Sequence, residues 1–271
     1  MSTTDQTESI ALDTLSSELG DVVHIDSKSI HKASFDGLKV SFSPSAVIRP
    51  EESSQVGTVL RLANEFCIPV TTKGAGSSLT GGATPVQGGW VLDVSLLNQI
   101  EIDVDNQIAR CGPGAIVADI QDDAAEHNLF YPPDPSSKMF CTIGGNIACN
   151  AGGLRCVKYG VTRDYILSLS GYLPTGEAVQ WGRATRKFAT GYNIRDLWIG
   201  SEGTLGIVTE AVLRLVGKPV SQKTFLAAFR SDKDALRAPI ELSRIGIRPS
   251  ILEFLDRWTV ECVQSFTGKE V

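Results

Sequence analysis

Lys73 to Gly82, KGAGSSLTGG, places glycines at 74, 76, 81 and 82 and hydroxyls at Ser77, Ser78 and Thr80 directly behind the apolar run Ile68-Pro69-Val70-Thr71-Thr72. Glycine tolerates dihedrals that a side chain forbids, so such a loop can turn several N–H groups inward together. Convergent N–H donors form an anion nest, which suits a pyrophosphate and needs few side-chain cations. A tight surface turn is the other use of such a loop, and the loop alone leaves both open. Spacing excludes two common nucleotide loops. A phosphate-binding P-loop ends in Gly-Lys-Ser/Thr, whereas here the lysine precedes the glycines; the G-x-G-x-x-G fingerprint fails because position 79 is Leu.

A second cluster follows roughly sixty residues later: PPDPSS (Pro132 to Ser137), then CTIGGNIACNAGG (Cys141 to Gly153). Its small residues, Gly144, Gly145, Gly152 and Gly153 among them, permit close backbone approach to a planar ligand, and Asn146 and Asn150 offer amide donors and acceptors. Asp134 lies between Pro133 and Pro135 on a stiffened segment. It reads either as a turn aspartate or as an acceptor for a ribose hydroxyl or a ring N–H.

These motifs, with PSAVIRPEESSQV (Pro44 to Val56), KYG (Lys158 to Gly160) and GYNIRDLWIGSEGTLGIVTE (Gly191 to Glu210), occur in the order of a known family. The chain resembles the FAD-linked oxidases of the vanillyl-alcohol oxidase and p-cresol methylhydroxylase type. Within them it is most similar to the branch of glycolate oxidase flavoprotein subunits, D-lactate dehydrogenases and D-2-hydroxyglutarate dehydrogenases. The resemblance runs from about Ser41 to Pro219. It implies an α+β, two-lobed FAD-binding domain with the cofactor between lobes. The implied FAD contacts are Lys73, Gly74, Ala75, Gly76, Ser77, Ser78 and Leu79 for the pyrophosphate; Pro133, Asp134, Ser137, Thr142, Gly145, Asn146 and Ala151 along the flavin and its ribityl arm; and Glu202, Gly206 and Ile207 at the adenine end. Lys73 stands where relatives often carry Arg, and Ser77-Ser78 where Thr-Gly is frequent. Covalent members often use a histidine near these segments; none occurs here, so the FAD is expected to be non-covalent.

The resemblance also implies oxidation of a D-2-hydroxy acid such as lactate or glycolate, with hydride passing from the substrate Cα to flavin N5. That chemistry needs a positioned base and a carboxylate clamp. Relatives continue into a substrate domain with a His-rich metal motif and a late catalytic histidine, but 54 residues follow Gly217 and no histidine follows His127. The substrate domain is expected to be largely absent, no catalytic residue is assigned, and no metal is expected. A flavin-binding module or subunit, inactive until a partner completes the site, is therefore a second reading; a cofactor-free glycine-rich scaffold is a third. Quinone, cytochrome, flavoprotein or iron–sulfur partners are all open as electron acceptors. Tyr159, Arg163, Lys187 and Arg195 read as structural or surface residues, or as groups reaching the flavin edge. His24, His31 and His127 read as surface residues.

At 271 residues and 42% hydrophobic content, the chain can build a substantial core. A net charge of −6 disfavours nonspecific nucleic-acid binding, which relies on dense positive charge. No apolar run reaches membrane-spanning length and the N-terminus MSTTDQTESI carries no signal-peptide core, so a soluble cytoplasmic protein is expected. The cysteines at 67, 111, 141, 149, 156 and 262 form no C-x-x-C pair and read as free thiols.

The elements that would hold these loops follow from periodicity. Residues 1–40 read as a mobile or helical leader, 41–219 as the FAD-binding domain with lobes at about 41–105 and 106–219, and 220–271 as the opening of an incomplete substrate domain. Val56, Val59, Leu60, Ala63 and Phe66 predict a helix over 54–66 between two strands, a βαβ unit leading into the glycine loop. Strands are predicted at 91–94, 100–104, 166–172, 178–182 and 205–215, with a hairpin turn at Pro174 to Glu177 and a helix over 116–126. Thr224 to Arg230 reads as a further strand and Ala235 to Ile245 as a helix with an unburied apolar face.

Overall fold

Two main sheets, each with its own apolar core, share one seam in the computed structural model, which describes residues 3–269. The first group of elements opens with α1 (Thr3–Leu19), β1 (Val23–His24), α2 (Ser27–Ala33), β2 (Ala46–Ile48), α3 (Ser53–Glu65), β3 (Val70–Lys73) and β4 (Trp90–Asp93). The strands lie in the order β1-β2-β4-β3, with β2, β4 and β3 parallel. The expected βαβ unit is present, but β4 inserts between its two strands. Parallel strands buried on both faces read as continuous apolar runs, as Ala46-Val47-Ile48 and Trp90-Val91-Leu92 do.

The start of α3 is secured by Gln55, whose Oε1 accepts from the backbone N–H groups of Glu51 (2.7 Å) and Glu52 (3.1 Å). Its buried face, Val56, Val59, Leu60 and Ala63, is the one the periodicity predicts, and Leu62 and Gly57 join it. The N-terminal segment is helical, and it is packed: Ala11 and Leu15 of α1 are fully buried in the same core as α3, and Arg61 holds Glu18 at 2.7 Å. Residues expected as a leader thus cover one side of the first sheet.

The second group comprises β5 (Ile100–Asp103), β6 (Ile108–Cys111), α4 (Val117–Glu126), β7 (Leu129–Phe130), α5 (Ile143–Cys149), α6 (Cys156–Tyr159), β8 (Ile166–Tyr172), β9 (Ala178–Gly182), α7 (Arg195–Trp198), β10 (Ile207–Arg214) and β11 (Val216–Gly217). Its main sheet is antiparallel, ordered β5-β6-β10-β8-β9. β5 pairs with β6 and so belongs here, although the sequence reading places residues up to 105 in the first lobe. The unpredicted β6 is buried and central, and Arg110 interrupts its apolar pattern. The turn at 174–177 closes as expected, with Leu173 N–H donating to Glu177 O at 2.9 Å. The seam runs along Tyr172 and Ile207, whose side chains pack into the first core while their strands belong to the second sheet.

Beyond Gly217, residues 224–230 form no strand, in contrast to the expectation. Among the described residues no strand pairs with them to supply the ladder hydrogen bonds that define one. α8 (Asp232–Arg244) and α9 (Arg257–Thr267) are helices without a buried residue.

Candidate functional site

Three segments distant in sequence line one cavity of about 220 Å³: the loop after β3, the stretch through α5, and the turn between α7 and β10. β3 delivers the first, because its parallel pairing with β4 ends at Lys73 opposite Asp93 and the chain then turns over. Gly76 has φ +62° and Gly81 φ +79°, conformations that disfavour any Cβ. α5 delivers the second. Thr142 caps it by accepting from Gly145 N–H at 3.4 Å, and Asn150 ends it in the left-handed conformation, φ +48°. This helix was not predicted, since its residues read as a glycine cluster; a Thr N-cap and an Asn C-cap were the available signals.

The segments touch where side chains are missing. A Cβ on Gly74 would stand 2.4 Å from Thr142 Oγ1, so the first loop meets the cap of α5 only because residue 74 is glycine. Gly144 packs the start of α5 onto Pro113 in the same way, at 2.7 Å. The third segment is tied to both others. Glu202, at φ +52°, donates its N–H to Ala148 O at 2.9 Å and accepts from Thr80 Oγ1 at 3.3 Å.

Of the residues expected to contact a cofactor, Gly74, Ala75, Gly76, Ser77, Ser78, Ser137, Thr142, Gly145, Asn146, Ala151, Glu202, Gly206 and Ile207 all line this cavity. Lys73, Leu79, Pro133 and Asp134 do not. Leu79 projects outward, 72% exposed. Pro133 is buried behind the wall and its carbonyl accepts from Gln121 Nε2 at 2.8 Å. Asp134 is held by Arg155 at 3.3 Å and Lys138 at 3.9 Å, while its Oδ1 has no partner. Arg155 in turn lies over the Phe130 ring, 4.9 Å from its centroid. Lys73 points away from the cavity: its Nζ donates to the carbonyls of Lys32 (3.1 Å), Ala33 (3.4 Å) and Phe35 (2.5 Å). Burial pushes its pKa down, against the pull of Asp93 and Asp36. The sequence reading gave no role to Val94, Pro113, Cys149 and Trp198 on the wall; no local pattern marks the first two, and the last two lie within its motifs without a distinguishing neighbour.

The chemistry of the lining is backbone, hydroxyl and amide. Glu202 is the one ionisable carboxylate among the described lining residues, and no Lys, Arg or His joins it. Asn146 is 4% exposed and its amide lies beside the Cys141 thiol, where burial raises the thiol pKa and hydrogen bonds with Ser137 and Asn146 oppose the rise. Desolvation raises the Cys149 thiol pKa, with a hydrogen bond to Ser78 opposing it. Arg163 donates to the carbonyls of Asp196 (2.8 Å) and Ile199 (2.7 Å) and fixes the third segment from behind; Arg195 is engaged with Asp196 and Leu167 O. Tyr159 packs edge-on against Phe130, and none of Tyr159, Arg163, Lys187 and Arg195 lines the cavity. The three histidines lie outside it as well.

Residues 44–182 match the FAD binding domain family, slightly more than half of the chain. The chain belongs to that family. This FAD-binding chain is 42% identical over 224 residues to the glycolate oxidase subunit GlcD of Bacillus subtilis (strain 168), covering 82% of itself and 48% of that protein. It is 38% identical over 229 residues to a D-lactate dehydrogenase of Anaerostipes hadrus, covering 84% and 48%. It therefore spans about half the length of the curated relatives it matches. Among solved structures, an alkyldihydroxyacetonephosphate synthase superposes with TM-score 0.77 at 23% identity, over 90% of this chain and 47% of that one, a likeness of fold. The 6-hydroxy-D-nicotine oxidase of Arthrobacter nicotinovorans superposes with TM-score 0.60 at 28% identity, over 72% and 42%. Among the described residues no helix is long and apolar enough to cross a membrane, and no group of three or more His, Cys, Asp or Glu could hold a metal ion.

Proposed function

We propose that this chain is the FAD-holding portion of a flavin-dependent dehydrogenase or oxidase of D-2-hydroxy acids such as lactate or glycolate. The observation that carries this reading is the cavity itself: glycine-rich backbone from three distant segments lines it, with hydroxyls from Ser77, Ser78 and Thr142. The names of the relatives point to the hydroxy-acid class. FAD, when bound, supplies an acceptor for the two electrons that leave the alcohol carbon.

The chain's own residues bind and orient. With no lysine or arginine in the lining, the negative charge of a pyrophosphate falls to the backbone N–H groups and hydroxyls of Gly74 to Ser78. Ser137, Thr142, Gly145, Asn146 and Ala151 would lie along the ring and ribityl arm, with Glu202, Gly206 and Ile207 at the adenosine end. We infer that the cofactor is held non-covalently. No histidine lines the cavity to form a bond with the flavin.

Reconstitution with FAD, removal of excess and a visible spectrum test the cradle, and acid precipitation tests dissociability. Anaerobic addition of D-lactate or glycolate then tests turnover. Loss of flavin colour would support a complete site. The alternative reading, a module inactive without a further domain or partner, is favoured by one observation: no described lining residue is a cation that could clamp a carboxylate or a histidine that could take the hydroxyl proton. It expects colour that dithionite removes and hydroxy acids do not.

A further inference from the structure

We propose that Lys73 is a positioning residue for FAD. It holds the Phe35–Gly37 turn against the back of the Ser77–Ser78 backbone and so sets the direction of the loop's N–H groups; this rests on the FAD reading above. Lys73 is the cation nearest in sequence to the glycine loop, yet it is only 9% exposed and does not line the cavity. Its three acceptors belong to the last turn of α2 and the residues just beyond. A helix end leaves such carbonyls without internal partners and carries partial negative charge, so a buried ammonium satisfies both deficits at once. The Phe35 ring closes over the same ammonium, 5.7 Å from its centroid.

Two glycines transmit that anchorage to the loop. A Cβ on Gly76 would stand 2.8 Å from Lys73 Cε, so the loop folds directly over the lysine stem. A Cβ on Gly37 would stand 2.6 Å from Ser78 O and 3.0 Å from Ser77 O, so the turn presses on those two carbonyls with no room for a methyl group. In a trans peptide the carbonyl and the following N–H point in opposite directions. Carbonyls facing Gly37 therefore aim the N–H groups of Ser78 and Leu79 away from it, and Gly37 is outside the cavity lining while Ser77 and Ser78 are part of it. Asp36 stiffens the turn: it is 2% exposed and its Oδ1 accepts from Leu38 N–H at 2.9 Å. Because no lining cation contributes, N–H direction governs how well a pyrophosphate is held.

The test uses the full chain, with FAD affinity from flavin fluorescence titration and folding from circular dichroism and thermal melting. Lys73→Met is expected to weaken FAD about tenfold or more, the equivalent of losing one charge-assisted set of contacts. Lys73→Arg, which retains several donors, is expected to restore affinity to within about threefold. Gly37→Ala leaves Lys73 untouched and displaces the loop from behind, and about tenfold weakening is expected there too. Should Lys73→Met fail to fold, Gly37→Ala decides by itself. A parent chain that binds FAD alongside folded Lys73→Met and Gly37→Ala variants of unchanged affinity would overturn the positioning role and leave the cofactor reading standing. A folded parent that binds no FAD would overturn both.

Discussion

α3 and α8 are both 13-residue amphipathic helices with a defined N-terminus, and they meet opposite fates. α3 buries six residues against the parallel sheet and the second-sheet residues Tyr172 and Ile207. α8 buries none, and its Leu236 and Ile240 stay more than half exposed. The caps are comparable: Ser231 Oγ accepts from Asp234 N–H at 3.2 Å, as Gln55 secures α3. Local signals thus suffice to start and stop a helix, while burial depends on a partner face that no local signal supplies. Each apolar side chain taken fully out of water contributes about 1.5–3 kcal/mol. The difference between the two helices therefore lies in what each contributes to the fold.

The largest expected effect sets the two directly against each other. Leu62→Ala, in the core beneath α3, should cost about 2–5 kcal/mol in chemical denaturation. Leu236→Ala should stay within about 0.5 kcal/mol, as exposed positions do. Equal losses would mean that α8 is packed in solution and the contrast is void. Next in size is the cavity, which belongs to the packed region. Gly74→Ala should weaken FAD about tenfold, roughly 1.4 kcal/mol, because the new methyl displaces Thr142. An unchanged affinity would show that the contact between the first loop and α5 does not shape the binding surface.

Smaller still are the caps. Thr142→Ala should lower global stability by about 1 kcal/mol, since α5 is built into the second core through Ile143 and Ile147. Ser231→Ala should reduce helicity locally without shifting the main unfolding transition. The smallest perturbation is chemical labelling. Burial pushes the Cys111 thiol up to about 12, so it stays protonated and silent to alkylation at about pH 8. Cys262 on α9 is exposed and should react whether or not FAD is bound. Cys149 lines the cavity, and FAD should slow its labelling; equal rates with and without FAD would place the cofactor elsewhere.

Much of this was legible in the sequence because it is local or periodic. The strand at 166–172 and the helices α3 and α4 were predicted nearly to the residue, since their apolar residues report a buried face, and the strand at 178–182 was placed by the turn at Pro174 to Glu177 before it. The strand at 224–230 failed for the converse reason: its composition suits a ladder, and among the described residues no neighbouring strand pairs with it. β6 escaped because Arg110 breaks its pattern, an arginine that stays only partly buried opposite Glu101. At the site, the glycine positions and Asn146 were readable as a group. The directions of Lys73 and Asp134 were not, because direction depends on carbonyls and cations some twenty to forty residues away in the chain.

The sequence by itself determined which residues could form a cofactor cradle, in what order, and on which kinds of element, since glycine freedom, capping and periodicity are properties of short segments. The tertiary structure decided the rest. It brought the three loops to one cavity, buried the N-terminal helix in the core beside α3, placed β5 in the second sheet, and turned the Lys73 ammonium toward the carbonyls of Lys32, Ala33 and Phe35. Those outcomes depend on contacts between residues far apart in the chain. The close approach of Gly74 to Thr142 joins elements of the two main sheets, and that of Gly37 to Ser78 joins segments some forty residues apart.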